Sequence, residues 1–254
     1  MNLPIELHPL AMTREIRPGD NLGELLVLAL TKANLTPARH DVLVVTQKVV
    51  SKSENRFVDL AGVTPSPAAV ELAHVTQKDP RFVELVLSES IAIVRAVPNI
   101  LITRHRSGHV MAHAGIDRSN IGPDGENLVL LLPADSDASA ERLRTALGAH
   151  WPAPPAVLIS DSFGRPWRQG VTNVAIGAAG LPALIDRRGD LDRDGRKLQV
   201  TQVAFGDMIA AACGLTMGEG AENVPAVLVR GLHWDEADRP AATLVRPPEE
   251  DLFR

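Results

Sequence analysis

The sequence predicts an α+β protein in which mixed sheets, hairpins and packed helices share one chain. Three observations carry that reading. Apolar runs of strand length alternate with helical periodicity, yet few of them form clean βαβ units. Between residues 91 and 114, the runs IAIVRAV, ILITRHR and HVMAHAG are separated by Pro98-Asn99 and Ser107-Gly108, which are hairpin signals. Ser66-Pro67 and Asp79-Pro80 each place a cap residue before a proline at the first helical position, so two tandem helices follow.

The remaining elements follow in order. Asn21 and Glu24 have capping-box spacing, and Leu22, Leu25, Leu26 and Ala29 then line one helical face. Val42 to Val45 read as a buried strand that turns polar at Thr46, with Lys48 and Lys52 near the strand end. NLVLLLP is another buried strand, and a helix is predicted over about 137–148. The apolar run Ala156–Ile159 leads into a polar stretch, ISDSFGRPWRQG, read as a loop. GVTNVAIG and LPALIDRRG read as strands, TQVAFGDMIAAACGL as a helix, and PAVLVRG as a last buried strand. The helices and hairpins of about 66–114 are expected to form a smaller inserted subdomain.

Composition narrows the function. The 254 residues are 45% hydrophobic and 22% charged, ordinary globular usage that excludes global disorder. A net charge of −5 argues against a nucleic-acid binder, and 3% aromatics without a tyrosine leaves little for stacking bases. The single cysteine, Cys213, forms no internal disulfide and reads as a small core residue. No signal peptide or membrane span is visible, so a soluble cytoplasmic protein is expected.

No Walker A, G-x-G-x-x-G or H-E-x-x-H motif is present. DLDRDG imitates a calcium loop through Asp190, Asp192 and Asp194, but the twelfth position is Thr201 rather than glutamate. It reads as an acidic hairpin tip.

Three loops remain as carriers of chemistry: AGIDRSN, SDSFGRPWRQG and MGEGAEN. Each sets a carboxylate among small residues: Asp117, Asp161 and Glu219. Carboxylates beside a hydroxyl, Ser162, suit a hard divalent cation such as Mg²⁺. Arg165 and Arg168 can pair with a phosphate or carboxylate and are the catalytic candidates, with Lys48 and Lys52 adding positive charge. Acids for a metal and bases for phosphate are the two halves of a phosphoryl-transfer site. Each loop alone also reads as a plain turn, and the argument rests on their combination.

The blocks TQKVVSKSE, GIDRSN, DSFGRPWRQGVTNVAIG and TQVAFGDMIAAACGLTMGEGAENVPAVLVRG, in that order, resemble the signature blocks of the coenzyme F420-0:L-glutamate ligase family, the F420 γ-glutamyl ligases. The resemblance runs from about Leu7 to the RPPEEDLFR end. It implies one ligase domain over 1–254 in a fold particular to the family. The C-terminal flavin-binding domain of some relatives is not expected here. It implies a GTP-dependent ligase that joins L-glutamate to F420-0 and then adds γ-linked glutamates, with two Mg²⁺ or Mn²⁺ ions, K⁺ stimulation and a homodimer. Matched residue by residue, Asp117 and Asp161 would hold one metal, and Ser162 and Glu219 the second. Thr13, Arg14, Glu15 and Ile16, then Gln47, Lys48, Ser51 and Lys52, fall where the family contacts nucleotide. So does Asn120. The main GTP loop falls on Met217, Gly218, Glu219, Gly220, Ala221, Glu222, Asn223 and Val224.

Amide formation from an unreactive carboxylate would then proceed through an acyl phosphate made from GTP. Two rivals use the same residues: a metal-dependent phosphohydrolase acting on a phosphate ester, and a non-catalytic nucleotide-binding protein.

Overall fold

Val42 to Val45 show no polar alternation because both faces of their strand are buried. The computed structural model describes residues 4–12, 14–121 and 127–251. Along the chain come β1 (Glu6–Leu10), α1 (Leu22–Lys32), β2 (Val42–Thr46), α2 (Gln47–Ser53) and β3 (Phe57–Asp59). Next are α3 (Pro67–Thr76), α4 (Pro80–Ser88), β4 (Ser90–Val97), β5 (Ile100–His105), β6 (Val110–Ala112) and β7 (Leu128–Leu130). The chain continues with α5 (Ser136–Gly148), β8 (Ala156–Arg165), β9 (Arg168–Ala179), β10 (Ile185–Asp186), β11 (Gln202–Val203), α6 (Phe205–Met217) and β12 (Ala226–Arg230).

The main sheet has the order β1-β12-β2-β8-β9. Within it, β2 and β8 run parallel and the other neighbours antiparallel. Period-two alternation divides the core in two. Leu43, Val45, Val157 and Ile159 pack with α1 and α5, whereas Val42, Val44, Ala156 and Leu158 pack with α6. Cys213 is buried in this second layer, where burial pushes its thiol up to about 12. A third apolar cluster joins α3 and α4 to Leu101 of β5 and Val129 of β7. The architecture is the predicted α+β mixture of sheets and helices.

The helix signals act as expected. The Asn21 side chain accepts from the Glu24 N–H, Ser66 from Ala69 and Asp79 from Arg81. Each such cap contributes about 1 kcal/mol. Three expectations need correction. Residues 159–170 are not a loop: β8 and β9 pair as one hairpin as far as Arg165↔Arg168, leaving Pro166-Trp167 as the turn. Gln47 to Ser53 are not a strand end but a helix that begins directly after β2. LPALIDRRG forms a strand only at Ile185–Asp186, with an isolated bridge from Pro182 to Arg239, because it leads into the turn around Asp190 instead of crossing a sheet. In that turn Asp192 accepts from the Asp194 and Arg196 N–H groups, as an acidic tip does. Among the described residues no helix is long and apolar enough to cross a membrane.

The docking of α5 on β9 depends on a missing side chain. A Cβ at Gly177 would lie 2.3 Å from the Ser136 carbonyl oxygen and 2.5 Å from its carbon, both backbone atoms that cannot rotate away. At Gly164 a Cβ meets nothing within 4 Å. Gly177→Ala is therefore expected to destabilise by about 1–3 kcal/mol or more through overpacking, and Gly164→Ala to change little. Thermal denaturation checks this. Equal melting temperatures for the two variants would mean that α5 does not approach β9 this closely.

Candidate active site

The parallel pair β2 and β8 runs in register from Val42↔Ala156 to Thr46↔Ser160. The two strands therefore leave their shared register at the same level, where β2 ends and β8 runs on into the hairpin, near the usual place for a ligand beside an open sheet. Beyond Thr46 the chain turns into α2, whose first residues are Gln47 and Lys48. Beyond Ser160 the hairpin arm carries Asp161 and Ser162. The stretch before β12 ends at the same edge, because the Thr46 N–H donates to the Pro225 carbonyl at 2.9 Å. Asp117 is fixed by two backbone bonds with Leu130, at 2.9 and 3.0 Å.

These placements bring the three sequence loops together. Ser162 Oγ donates to Glu219 Oε2 at 2.8 Å, which joins the second loop to the third. Asn120 Nδ2 donates to the Gly220 carbonyl at 3.1 Å, which joins the first to the third. Lys48 Nζ lies 2.7 Å from Asp117 Oδ1, and the Gln47 amide donates to the other oxygen of the same carboxylate. Lys52 Nζ meets Glu15 at 2.6 Å and ties the 14–16 segment to α2. Arg14 makes a two-pronged bond with Asp20, whose carboxyl it holds down to about 2.

The loops surround a cavity of about 1030 Å³. Arg14, Glu15, Ile16, Gln47, Lys48 and Lys52 line it, as do Asp117, Asn120, Asp161 and Ser162. From the third loop come Gly218, Glu219, Gly220, Ala221, Asn223 and Val224. Other candidates lie elsewhere. Arg165 and Arg168 sit at the exposed hairpin tip and do not line the cavity. Ser51 is fully buried behind it, and Met217 belongs to the core under α6. The Glu222 carboxylate folds back to accept the Gly220 N–H at 2.8 Å. Thr13 lies outside the described residues.

Asn173 and Ser160 also line the cavity and were not singled out from sequence. Asn173 stands opposite Ser162 in the hairpin register, and Gly214 leaves room for its side chain. Counting register back from Pro166-Trp167 sets Ser162 against Val171, because the ladder shifts by two residues between Arg165↔Arg168 and Gly164↔Val171, so no sequence signal placed Asn173 there.

Three acids share this space, and Asp161 bears the consequence. Burial, with the Asp117 charge adding to it, pushes its carboxyl up to about 7. The Ser162 N–H and Lys48 oppose this only in part. Among the described residues no three His, Cys, Asp or Glu side chains form a ready metal-binding group as they stand. Asp117 is taken by Gln47 and Lys48, and Glu219 by Ser162. The donors themselves are hard oxygens around an under-compensated acid, which is the donor set Mg²⁺ or Mn²⁺ takes.

A mixed sheet whose parallel strand ends set acids against bases around one large cavity defines an α+β protein with a small-molecule site of mixed charge. The sequence profile of the F420-0:gamma-glutamyl ligase family matches residues 11–231. The chain belongs to that family. It is 44% identical over 254 residues to the coenzyme F420:L-glutamate ligase of Methanopyrus kandleri, covering 98% of each chain. It is 40% identical to that of Methanothermobacter thermautotrophicus, covering 93% of each. It is 44% identical to that of Halobacterium salinarum, covering 94% of this chain and 92% of the relative.

A raised carboxyl has a sign in stability. Between its unfolded value and about 7, Asp161 holds a proton in the folded state that it loses on unfolding, so stability falls as pH rises through that window. Asp161→Asn should therefore stabilise the metal-free protein at about pH 8 by on the order of a few kcal/mol, read as a higher melting temperature. The gain should shrink as pH falls and vanish toward about pH 2 to 3, below the unfolded value, where the carboxyl is mostly neutral in both states. Thermal scans of both proteins across that range test it, and a pH-independent difference would contradict the buried-charge account.

Proposed function

We propose that the protein is a GTP-dependent ligase that joins L-glutamate to coenzyme F420-0 and then adds further γ-linked glutamates. The observation that supports this reading best is the meeting of the Asp117, Asp161 and Glu219 loops around one cavity that also exposes Lys48, Lys52 and Arg14. Its volume stands at the large end for small-molecule sites, in keeping with a nucleotide beside a second substrate.

In this reading a carboxylate oxygen of the acceptor attacks the γ-phosphorus of GTP, and GDP departs. The glutamate nitrogen then attacks the acyl carbon of the resulting acyl phosphate. The C–N bond forms, inorganic phosphate leaves, and the amine proton passes to phosphate or solvent. Lys48, Lys52 and Arg14 orient the phosphates and offset their charge. Asp117, Asp161, Ser162 and Glu219 would hold two Mg²⁺ or Mn²⁺ ions. When bound, these ions would neutralise phosphate charge. K⁺ stimulation, a homodimeric assembly and a cytoplasmic location complete the proposal.

Incubation with F420-0, L-glutamate, GTP and Mn²⁺, followed by product mass analysis, is the direct test. The expected products carry one or more added glutamyl units. Phosphate release that needs neither glutamate nor F420-0, without such products, would favour a phosphohydrolase instead. Asp161→Asn should lower turnover by on the order of a hundredfold or more, because a carbonyl oxygen lacks the carboxylate charge that a metal ligand supplies. Replacing Asp190, Asp192 and Asp194 by Asn should leave the metal-dependent rate unchanged.

GTP binding should itself depend on metal. Two like unit charges about 4 Å apart repel by roughly 4 kcal/mol at an effective dielectric near 20, about three decades in affinity. A triphosphate facing Asp117, Asp161 and Glu219 meets that repulsion unless cations intervene. Calorimetry should show GTP affinity falling steeply in EDTA and partly restored by Glu219→Gln. Equal affinity with EDTA and with Mn²⁺ would mean that these acids do not surround the phosphates.

A further inference from the structure

At the cavity wall, two residues of α2 form a chain that ends on Asp117, with Gln47 lining the cavity and Ser51 behind it. Ser51 is fully buried and Gln47 is 3% exposed. They stand one helical turn apart, so their side chains share a face. A serine hydroxyl within a helix commonly returns to the carbonyl one turn back, as Ser53 does with Val50. Ser51 instead donates to the side-chain oxygen of Gln47 at 3.0 Å. The Asp117 carboxylate only accepts, so it must face Nε2, which donates to Oδ2. Oε1 is then left to accept from Ser51, whose donated bond holds the amide in that orientation. The opposite flip would set an amide oxygen against a carboxylate oxygen, with no hydrogen between them.

We propose that Gln47 and Ser51 are positioning residues for Asp117, holding Oδ2 from behind so that Oδ1 is presented to the cavity. The proposal rests on Asp117 being a cation ligand, as in the function proposed above. The two groups that touch Asp117 differ in kind. Lys48 meets Oδ1, keeps 26% of its side chain exposed, and carries a charge that an arriving cation would oppose. Gln47 is neutral and locked by Ser51, so it satisfies the lone pair that the cation does not use. Groups of this sort, one step behind a metal ligand, commonly set its affinity by about ten- to a hundredfold. The full burial of Ser51 gives it no surface on the cavity, so its influence on a ligand there passes through Gln47.

Mn²⁺ titration followed by electron paramagnetic resonance, without nucleotide or substrate, tests the proposal on the whole protein. The proteins compared are wild type, Ser51→Ala, Gln47→Leu and Asp117→Asn, each with its melting temperature. Gln47→Leu is expected to weaken Mn²⁺ binding by about tenfold or more, and Ser51→Ala by a smaller but clear factor. Turnover of Ser51→Ala should recover toward wild type at saturating Mn²⁺. A purely structural role would lower the melting temperature and leave the Mn²⁺ affinity of the folded protein unchanged. If Gln47→Leu fails to fold, Ser51→Ala decides alone. Wild-type affinity in Ser51→Ala and Gln47→Leu, with loss in Asp117→Asn, overturns the positioning role and leaves the metal site standing. Wild-type affinity in Asp117→Asn overturns the metal site and the positioning role together.

Discussion

The parallel pairing of β2 with β8 is the constraint on which the rest of the site depends. Antiparallel neighbours would send their ends in opposite directions. A parallel pair sends both chains out on one side, with Thr46 opposite Ser160, where β2 ends and β8 runs on into the hairpin, and so delivers Gln47 and Asp161 to the same level. Such a pair also needs a long crossover between its strands. Here the crossover is used to build the site. It leaves through α2, forms the α3–α4 layer and the β4-β5-β6 sheet, and returns through β7, which pairs with β3. The bridge between Asp117 and Leu130 then hangs the first acid beside the second. Both faces of the main sheet are buried against helices, so its strand ends have little freedom to relax away from one another.

That rigidity is what allows three acids to be crowded. Charges on flexible loops would separate until solvent screened them. Asp161 stays, and its carboxyl is driven up to about 7. The fold accepts a local destabilisation that the apolar core offsets elsewhere, a pattern common where a site is built for ligands instead of for stability.

Much of this was legible in the sequence, and the exceptions have physical causes. The helices with side-chain caps were readable because Asn21, Ser66 and Asp79 act within three residues of their own position. α2 was hidden because it is seven residues long, its Thr46 makes no side-chain cap bond, and Val49-Val50 favours a strand on composition. The β8–β9 hairpin was hidden because its turn is Pro-Trp, with Trp167 at φ 58, where Asn-Gly would have announced it. Reading that segment as a loop kept Arg165 and Arg168 beside Asp161. As a strand advances about 3.4 Å per residue, four residues carry Arg165 roughly 14 Å along the hairpin. The acids and glycines of the three loops were visible as residue types. That they meet required Ser162–Glu219 and Asn120–Gly220, contacts between segments far apart in the chain. The bond between Ser51 and Gln47 becomes visible only once their segment is known to be a helix.

The pairing of charges around the cavity bears on what can occupy it. Lys48 already holds Asp117, Lys52 holds Glu15, Arg14 holds Asp20, and the Ser162 hydroxyl holds Glu219. A cation alone can relieve the crowded Asp161, but a ligand of one sign still disturbs pairs already made. A lone anion that draws Lys48 or Lys52 to itself leaves Asp117 or Glu15 without its partner, and the lost pair cancels much of the new one. A lone cation on Asp117 displaces Lys48 into the same low-dielectric space and is repelled by it. A ligand that brings both signs at once avoids each loss, because its cation takes the carboxylates while its anion takes the released ammonium groups. The site therefore favours a cation and an anion that arrive together or in close succession over either one alone. That preference follows from the pairing geometry, without any motif dedicated to phosphate.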